Sequence, residues 1–163
     1  QMCIRDRLWR LFFMKVIDIK KLKPEANLPV RANPSDAGAD VFYCGEQITI
    51  YPGDTAILGT GLQIATPDGH VTEVKNRSGM AAKNSLLVGA CIIDSGYEGE
   101  LKINLHNVGR TSKTISNGDK IAQIIVYKID VPMFEEVPAD KELYYRTHTI
   151  SARKDGGFGS TGK

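Results

Sequence analysis

The sequence predicts an all-β domain, a sandwich or a barrel, and three observations carry that prediction. From Met14 onward, Gly, Pro, Asn and Asp punctuate the chain at short intervals, and the segments between them are short and rich in β-branched residues. One of these, "ELKINLHN", alternates strictly: Leu101, Ile103 and Leu105 face one way, Lys102, Asn104 and His106 the other. Only "RSGMAAKN" has helical character, for about two turns.

The strands are expected, in order, at "KVIDI", "ADVFY", "QITIY", "TAILGTGLQI", "HVTEV", "LLVGACII", "LKINL", "KTI" and "KIAQIIVYKI". "YPGD" and "TPDG" are turns, because Pro fixes φ and Gly accepts φ > 0. Ser78 is placed to cap the helix. No internal repeat of roughly 20–50 residues is visible. From Pro138 the pattern fades into a polar segment, so residues 14–137 read as one domain and 138–163 as an extended arm. The leader "QMCIRDR" matches one reading frame of a sequencing-library transposon end. Residues 1–13 are therefore expected to be a non-native leader, with the natural start at Met14.

With 163 residues a single domain can build a real core. The formal net charge of +2 does not argue for a nucleic-acid partner. Cys3, Cys44 and Cys91 show no metal or CxxC spacing, which points to a reducing compartment, and no apolar run is long enough to span a membrane. A cytoplasmic protein is the expectation.

Five stretches carry chemistry. "DAGAD" brings small residues and Asp40 to a strand, where a backbone can approach a partner closely, or simply makes a turn with a solvated Asp. "NRSGMAAK" puts Arg77 and Ser78 at a helix start, either as an anion site or as an ordinary capped surface helix. "GACIIDSGYEGEL" reads as a strand, a Ser-Gly turn and a return strand. Asp94 there suits a general base acting on water, and Tyr97 can stack on a flat ligand; an ordinary turn Asp and edge Tyr are the bland alternative. "GDKIAQIIVYKI" interrupts a long apolar strand with Gln123, whose amide either serves a neighbouring strand or faces a ligand. The tail "RKDGGFGSTG" sets Arg153 and Phe158 among glycines. A P-loop is not the expectation, since that motif needs a strand before it and a hydroxyl residue and a helix after the Lys. The tail reads either as a disordered Gly/Ser end or as a mobile arm that lays a ring on a base and backbone N–H groups on phosphate.

In this order the five stretches resemble the five motifs of the trimeric dUTPases, across roughly residues 15–162. The resemblance implies a β jelly-roll subunit and a homotrimer with three sites at subunit interfaces. It implies hydrolysis of dUTP to dUMP and pyrophosphate with Mg²⁺, which keeps uracil out of DNA and supplies dUMP for dTMP synthesis. By resemblance, Asp94 is the base and Asp40 orients the hydrated Mg²⁺ through water. Arg77, Ser78, Gly79 and Gln123 hold phosphate oxygens, and Tyr97 sits under the deoxyribose. The uracil edge is read by backbone around Gly89, Cys91, Ile93 and Tyr97, with Lys102 also on the substrate side. Arg153, Gly159, Ser160 and Thr161 close on the γ end and Phe158 covers the base, so the tail is a lid over another subunit's site.

The chain departs from the common pattern at Asn76, where a Pro is usual, at Cys91, where a Gly is common, and at Lys154. The side chain of Cys91 is expected to point into the core. The same fold hosts dCTP deaminases, but the positions that would carry that family's Glu, second Ser and Arg are Asn104, Gly79 and Ala82. A non-catalytic nucleotide sensor on the same scaffold is the alternative from another class.

Overall fold

The structure, a computed structural model, describes residues 16–149. The expected leader and the lid residues Arg153, Phe158, Gly159, Ser160 and Thr161 lie outside them. The described strands are β1 (Ile19–Lys21), β2 (Ala39–Phe42), β3 (Ile48–Ile50), β4 (Thr55–Gly59), β5 (Leu62–Ile64) and β6 (His70–Lys75). After helix α1 (Ser78–Asn84) come β7 (Leu86–Val88), β8 (Ile92–Ile93), β9 (Lys102–Asn107), β10 (Lys113–Ile115) and β11 (Lys120–Lys128). Every strand pairing is antiparallel. One sheet runs β2-β11-β6-β8 and a second β4-β9-β7, with two-stranded pairs β1-β5 and β10-β3. The expected all-β jelly roll is what forms, with one short helix among the described residues.

The core explains why these strands pair as they do. Ile103 and Leu105 on β9 are fully buried while Lys102 between sheets and solvent is exposed, as the period of two requires. Val41 on β2, Ile124 on β11, Val74 on β6, Leu58 on β4 and Leu86 on β7 join them in one apolar cluster drawn from both main sheets. The buried polar side chains are satisfied. Thr60 Oγ1 donates to the Leu101 carbonyl at 2.7 Å, and Asn107 Nδ2 donates to the carbonyls of Ile50 and Thr111 at 2.9 Å each.

Four expectations are corrected. "TAILGTGLQI" is not one strand: it divides into β4 and β5, which join different sheets. "LLVGACII" divides likewise, β7 pairing with β9 and β8 with β6, so the chain changes sheets across Gly89–Cys91. The first strand forms over Ile19–Lys21 rather than at "KVIDI", where its partner β5 can reach it. Cys91 is only half-buried and stands outside the core clusters, whereas Cys44 is buried.

Residues from Val131 form a separate compact unit. Its described part, 131–149, has turns but no strand; Lys141 N donates to the Pro138 carbonyl at 2.9 Å and Tyr145 N to that of Glu142 at 3.0 Å. Among the described residues no helix is long and apolar enough to cross a membrane.

The alternation on β9 gives a direct check. Ile103→Ala is expected to destabilise the fold by about 3 kcal/mol, and Lys102→Ala by less than about 0.5 kcal/mol, measured by urea unfolding.

Candidate active site

Asp40 anchors the first half of the site. It sits on β2 between buried Ala39 and Val41, so its side chain faces away from the core. The register sets it opposite Gln123 of β11, and Gln123 in turn opposite Lys75 of β6. Arg77 Nε donates to Asp40 Oδ1 at 2.7 Å, and Lys120 Nζ lies 3.0 Å from Oδ2. Arg77 Nη1 donates further to the Lys120 carbonyl at 3.2 Å. Partial burial pushes the Asp40 carboxyl up, but the hydrogen bonds and charges of Lys120 and Arg77 outweigh it and hold the group below its ordinary value of 3.8.

Gln123, opposite Asp40, is bonded to the backbone beside it. Its Nε2 donates to the Asn76 carbonyl at 2.8 Å. Its Oε1 lies over Gly38, where an added Cβ would come within 2.0 Å, so the small residues of "DAGAD" make room for this amide. Asn76, at the position where the pattern has Pro, also accepts from Val88 N through Oδ1 at 2.7 Å and so ties the helix start to β7.

Ser78 does not cap the helix. Arg77 is the N-cap residue, with φ −83° and ψ 132°, and makes no side-chain cap bond; Ser78 is the first helical residue. Its backbone N–H therefore belongs to the first turn, whose donors lack helical acceptors. Nothing lies within 4 Å of a Cβ added at Gly79, so this face of the turn is open.

The second half is the segment after β8. Ile93 pairs with Thr72, and Asp94 follows as an exposed residue. Tyr97 N donates to the Asp94 carbonyl at 3.3 Å, and Gly96 takes φ +83° within the turn so formed. The expected return strand does not form as a hairpin partner of β8: 98–101 belong to no strand, and β9 begins only at Lys102, opposite Gly59 of β4. Tyr97 is 46 % exposed, its hydroxyl donates to the Glu100 carbonyl at 3.1 Å, and it borders a cleft of about 400 Å³ with Gln63, Ile64 and Glu98. Gly89 N donates to the Asn104 carbonyl at 2.9 Å, and the Cys91 carbonyl accepts from Val74 N at 2.7 Å.

The structure thus brings Asp40, Arg77, Ser78 and Gln123 together, but not Asp94 and Tyr97 with them. Along β6, Ile93 is level with Thr72 while Gln123 is level with Lys75, a separation of roughly 10 Å at ~3.3 Å per residue. Asp40 is a further three strands across from β8, roughly 14 Å at ~4.8 Å per strand. Lys102 stands on the other main sheet, with Asn104 and His106. Sequence reasoning missed Lys120 and the organising role of Asn76; the turn "NGDK" before an apolar strand was the one signal for the former.

Among the described residues no three His, Cys, Asp or Glu side chains cluster to hold a metal. Both oxygens of Asp40 are held by cationic side chains, Oδ1 by Arg77 and Oδ2 by Lys120, so neither is left as an unpaired direct ligand.

Because the folded Asp40 carboxyl lies below its unfolded value, its stabilisation is complete above the ordinary 3.8 and is lost as pH falls through the folded value. Asp40→Asn is expected to lower the melting temperature at pH 7 and to narrow the gap between pH 7 and pH 3, measured by thermal unfolding at both.

The family profile described as dUTPase matches residues 24–162. The deoxyuridine 5'-triphosphate nucleotidohydrolase of Rhodococcus erythropolis is 40 % identical over 149 residues, covering 90 % of this chain and 85 % of that one. That of Mus musculus is 39 % identical over 143 residues, covering 88 % and 83 %. The Staphylococcus bacteriophage 80alpha dUTPase solved with dUpNHpp superposes with a TM-score of 0.80 at 26 % identity, over 92 % of this chain and 100 % of that one. A variant dUTPase of phage phi11 of S. aureus, solved with a structural Mg(II) ion, gives a TM-score of 0.71 at 26 % identity over 76 % and 97 %. The chain belongs to the dUTPase family.

Proposed function

We propose that the protein hydrolyses dUTP to dUMP and pyrophosphate, with Asp94 as the base. The observation that carries the residue assignment is the solvent-open Asp94 carboxylate, set at the end of β8, an edge strand. The outer edge of β8 has no partner strand among the described residues, so its N–H and C=O groups can read a pyrimidine edge. A base bound at this edge brings the sugar toward Tyr97 and the phosphates past Asp94.

Asp94 takes a proton from water as the water oxygen attacks the α-phosphorus in line. The bond from that phosphorus to the α–β bridging oxygen breaks, and pyrophosphate leaves. Arg77 is held against Asp40 through Nε and one hydrogen of Nη2, which leaves a second hydrogen on each Nη for phosphate oxygens. Ser78 and Gly79, at the open first turn, and Gln123 line the same side; Ser78 meets the bridge where negative charge develops. Mg²⁺ carried by the triphosphate would neutralise phosphate charge, with Asp40 reaching it through water. Arg153, Gly159, Ser160 and Thr161 would hold the γ end, with Phe158 over the uracil.

The separation of the Asp94 and Arg77 halves within one chain supports a site completed by neighbouring copies, and the family resemblance supports a homotrimer. Val131, Met133 and Phe134, 78 %, 86 % and 95 % exposed, are surfaces a neighbour would cover. The deaminase alternative gains no support. Asn104 Oδ1 accepts from Ala90 N at 3.3 Å and its Nδ2 donates to the Ala56 carbonyl at 3.5 Å, and an amide offers no proton to shuttle.

Asp94→Asn is expected to lower kcat by about 10²–10⁴-fold while a non-hydrolysable dUTP analogue still binds, measured by pyrophosphate release and calorimetry. Deleting 153–163 is expected to impair turnover and leave the assembly's mass unchanged by light scattering; full activity of the truncated protein contradicts the lid.

A further inference from the structure

The turn that carries Asp94 has almost no ladder of its own. β8 is two residues long, 94–101 belong to no strand, and the next ladder starts at Lys102. A carboxylate that must meet a water at an in-line angle cannot be left to such a loop, because a displacement of about 1 Å costs on the order of 10² in rate. Two side chains outside the five motifs close on this turn from either side. Ser95, next to Asp94, donates its hydroxyl to Asp68 Oδ1 at 2.7 Å. Asp68 is fixed in turn by the Pro67–His70 turn, where His70 N donates to the Pro67 carbonyl at 3.1 Å. On the far side Gln63 of β5 donates its Nε2 to the Glu98 carbonyl, one residue beyond Tyr97. Behind it the Glu100 carboxylate accepts from Gly61 N at 2.8 Å and Leu101 N donates to the Leu62 carbonyl at 2.7 Å, so the base of the loop is stitched to the β4–β5 corner.

We propose that Asp68 and Gln63 are positioning residues for the reaction: a two-sided clamp, through Ser95 and Glu98, that fixes the Asp94 carboxylate and the Tyr97 ring. Both act through the turn: Asp68 by accepting from Ser95 Oγ, Gln63 by donating to the Glu98 carbonyl. The proposal rests on the reading of Asp94 as the base, since that reading makes the turn's position matter for rate. The side chains concerned are polar and not part of the apolar core, so their loss moves the turn without unfolding the chain.

The test uses the full chain with Asp68→Ala, Asp68→Asn and Gln63→Ala, reading kcat and KM for dUTP, and amide hydrogen exchange of the 92–101 segment without nucleotide. Asp68→Ala and Gln63→Ala are each expected to lower kcat about ten-fold, with KM changed less than about two-fold, and to speed exchange in 92–101. Asp68→Asn keeps an acceptor oxygen for Ser95 and is expected to restore kcat to within about two-fold of the parent. Unchanged kcat in both alanine variants, or faster exchange with no loss of kcat, overturns the proposal. So does an Asp68→Asn variant as slow as Asp68→Ala. A parent chain that leaves dUTP intact would instead overturn the reading of Asp94, and the exchange data would still decide whether the clamp holds the turn.

Discussion

β11 is hydrogen-bonded to β2 along one edge and to β6 along the other, and the positions of Asp40, Gln123, Arg77 and Asp94 follow from that double register. Gln123 is set between Asp40 and Lys75. Because side chains alternate, this row points out of the core while Ile124 and Val41 next to it are buried. β6 then ends at Lys75, and the chain turns through Asn76 into α1, which delivers Arg77 back to Asp40. At its other end β6 pairs with β8 and so fixes where Asp94 begins. A slip of one residue in β11 would bury Gln123 and expose Ile124, and both halves of the site would lose their reference.

The charge arrangement has a cost that the structure offsets locally. Asp40 and Arg77 side chains are only 17 % and 28 % exposed, so both give up hydration. Two cations on one carboxylate, with the Lys120 ammonium also 5.8 Å from the Phe42 ring centroid, recover it through short charge-assisted bonds. The result is an Arg77 guanidinium fixed before any anion arrives, which spares the ordering entropy of a long side chain on binding. The half that carries Asp94 is held instead by backbone and side-chain hydrogen bonds, with the Asp68 and Glu100 carboxylates among the acceptors, which leaves the Asp94 carboxylate to a water.

The fold class was legible because it depends on local signals. Alternation at Leu101–His106 and the Gly- and Pro-marked turns are set by backbone sterics and by one buried face, both visible within a few residues. The breaks inside "TAILGTGLQI" and "LLVGACII" were not legible, since continuous β-branched runs do not say which partner strand each half will find. The same limit hid the helix cap. Arg77 takes the N-cap position because its side chain is pulled to Asp40, a contact 37 residues away in sequence that overrides the preference for Ser. Asp40 and Gln123 were found from their place in strands, and Asp94 from its place before a turn. Lys120 and Asn76 act through long-range pairing and left little trace in the local pattern. Motif order placed the site's groups in the chain and, by resemblance, at subunit interfaces, but not which groups one chain holds in each of its two separated halves.

That separation can be measured directly. Two variants, Asp94→Asn and Arg77→Ala, each inactive alone, would be unfolded together, refolded as a mixture and assayed for pyrophosphate release from dUTP. If Asp94 of one copy works with Arg77 of another, random mixing in a closed ring rebuilds intact sites and activity returns to about a quarter of the parent's. If each site is built within a single chain, every chain in the mixture still lacks one group and the activity stays at the level of the separate variants.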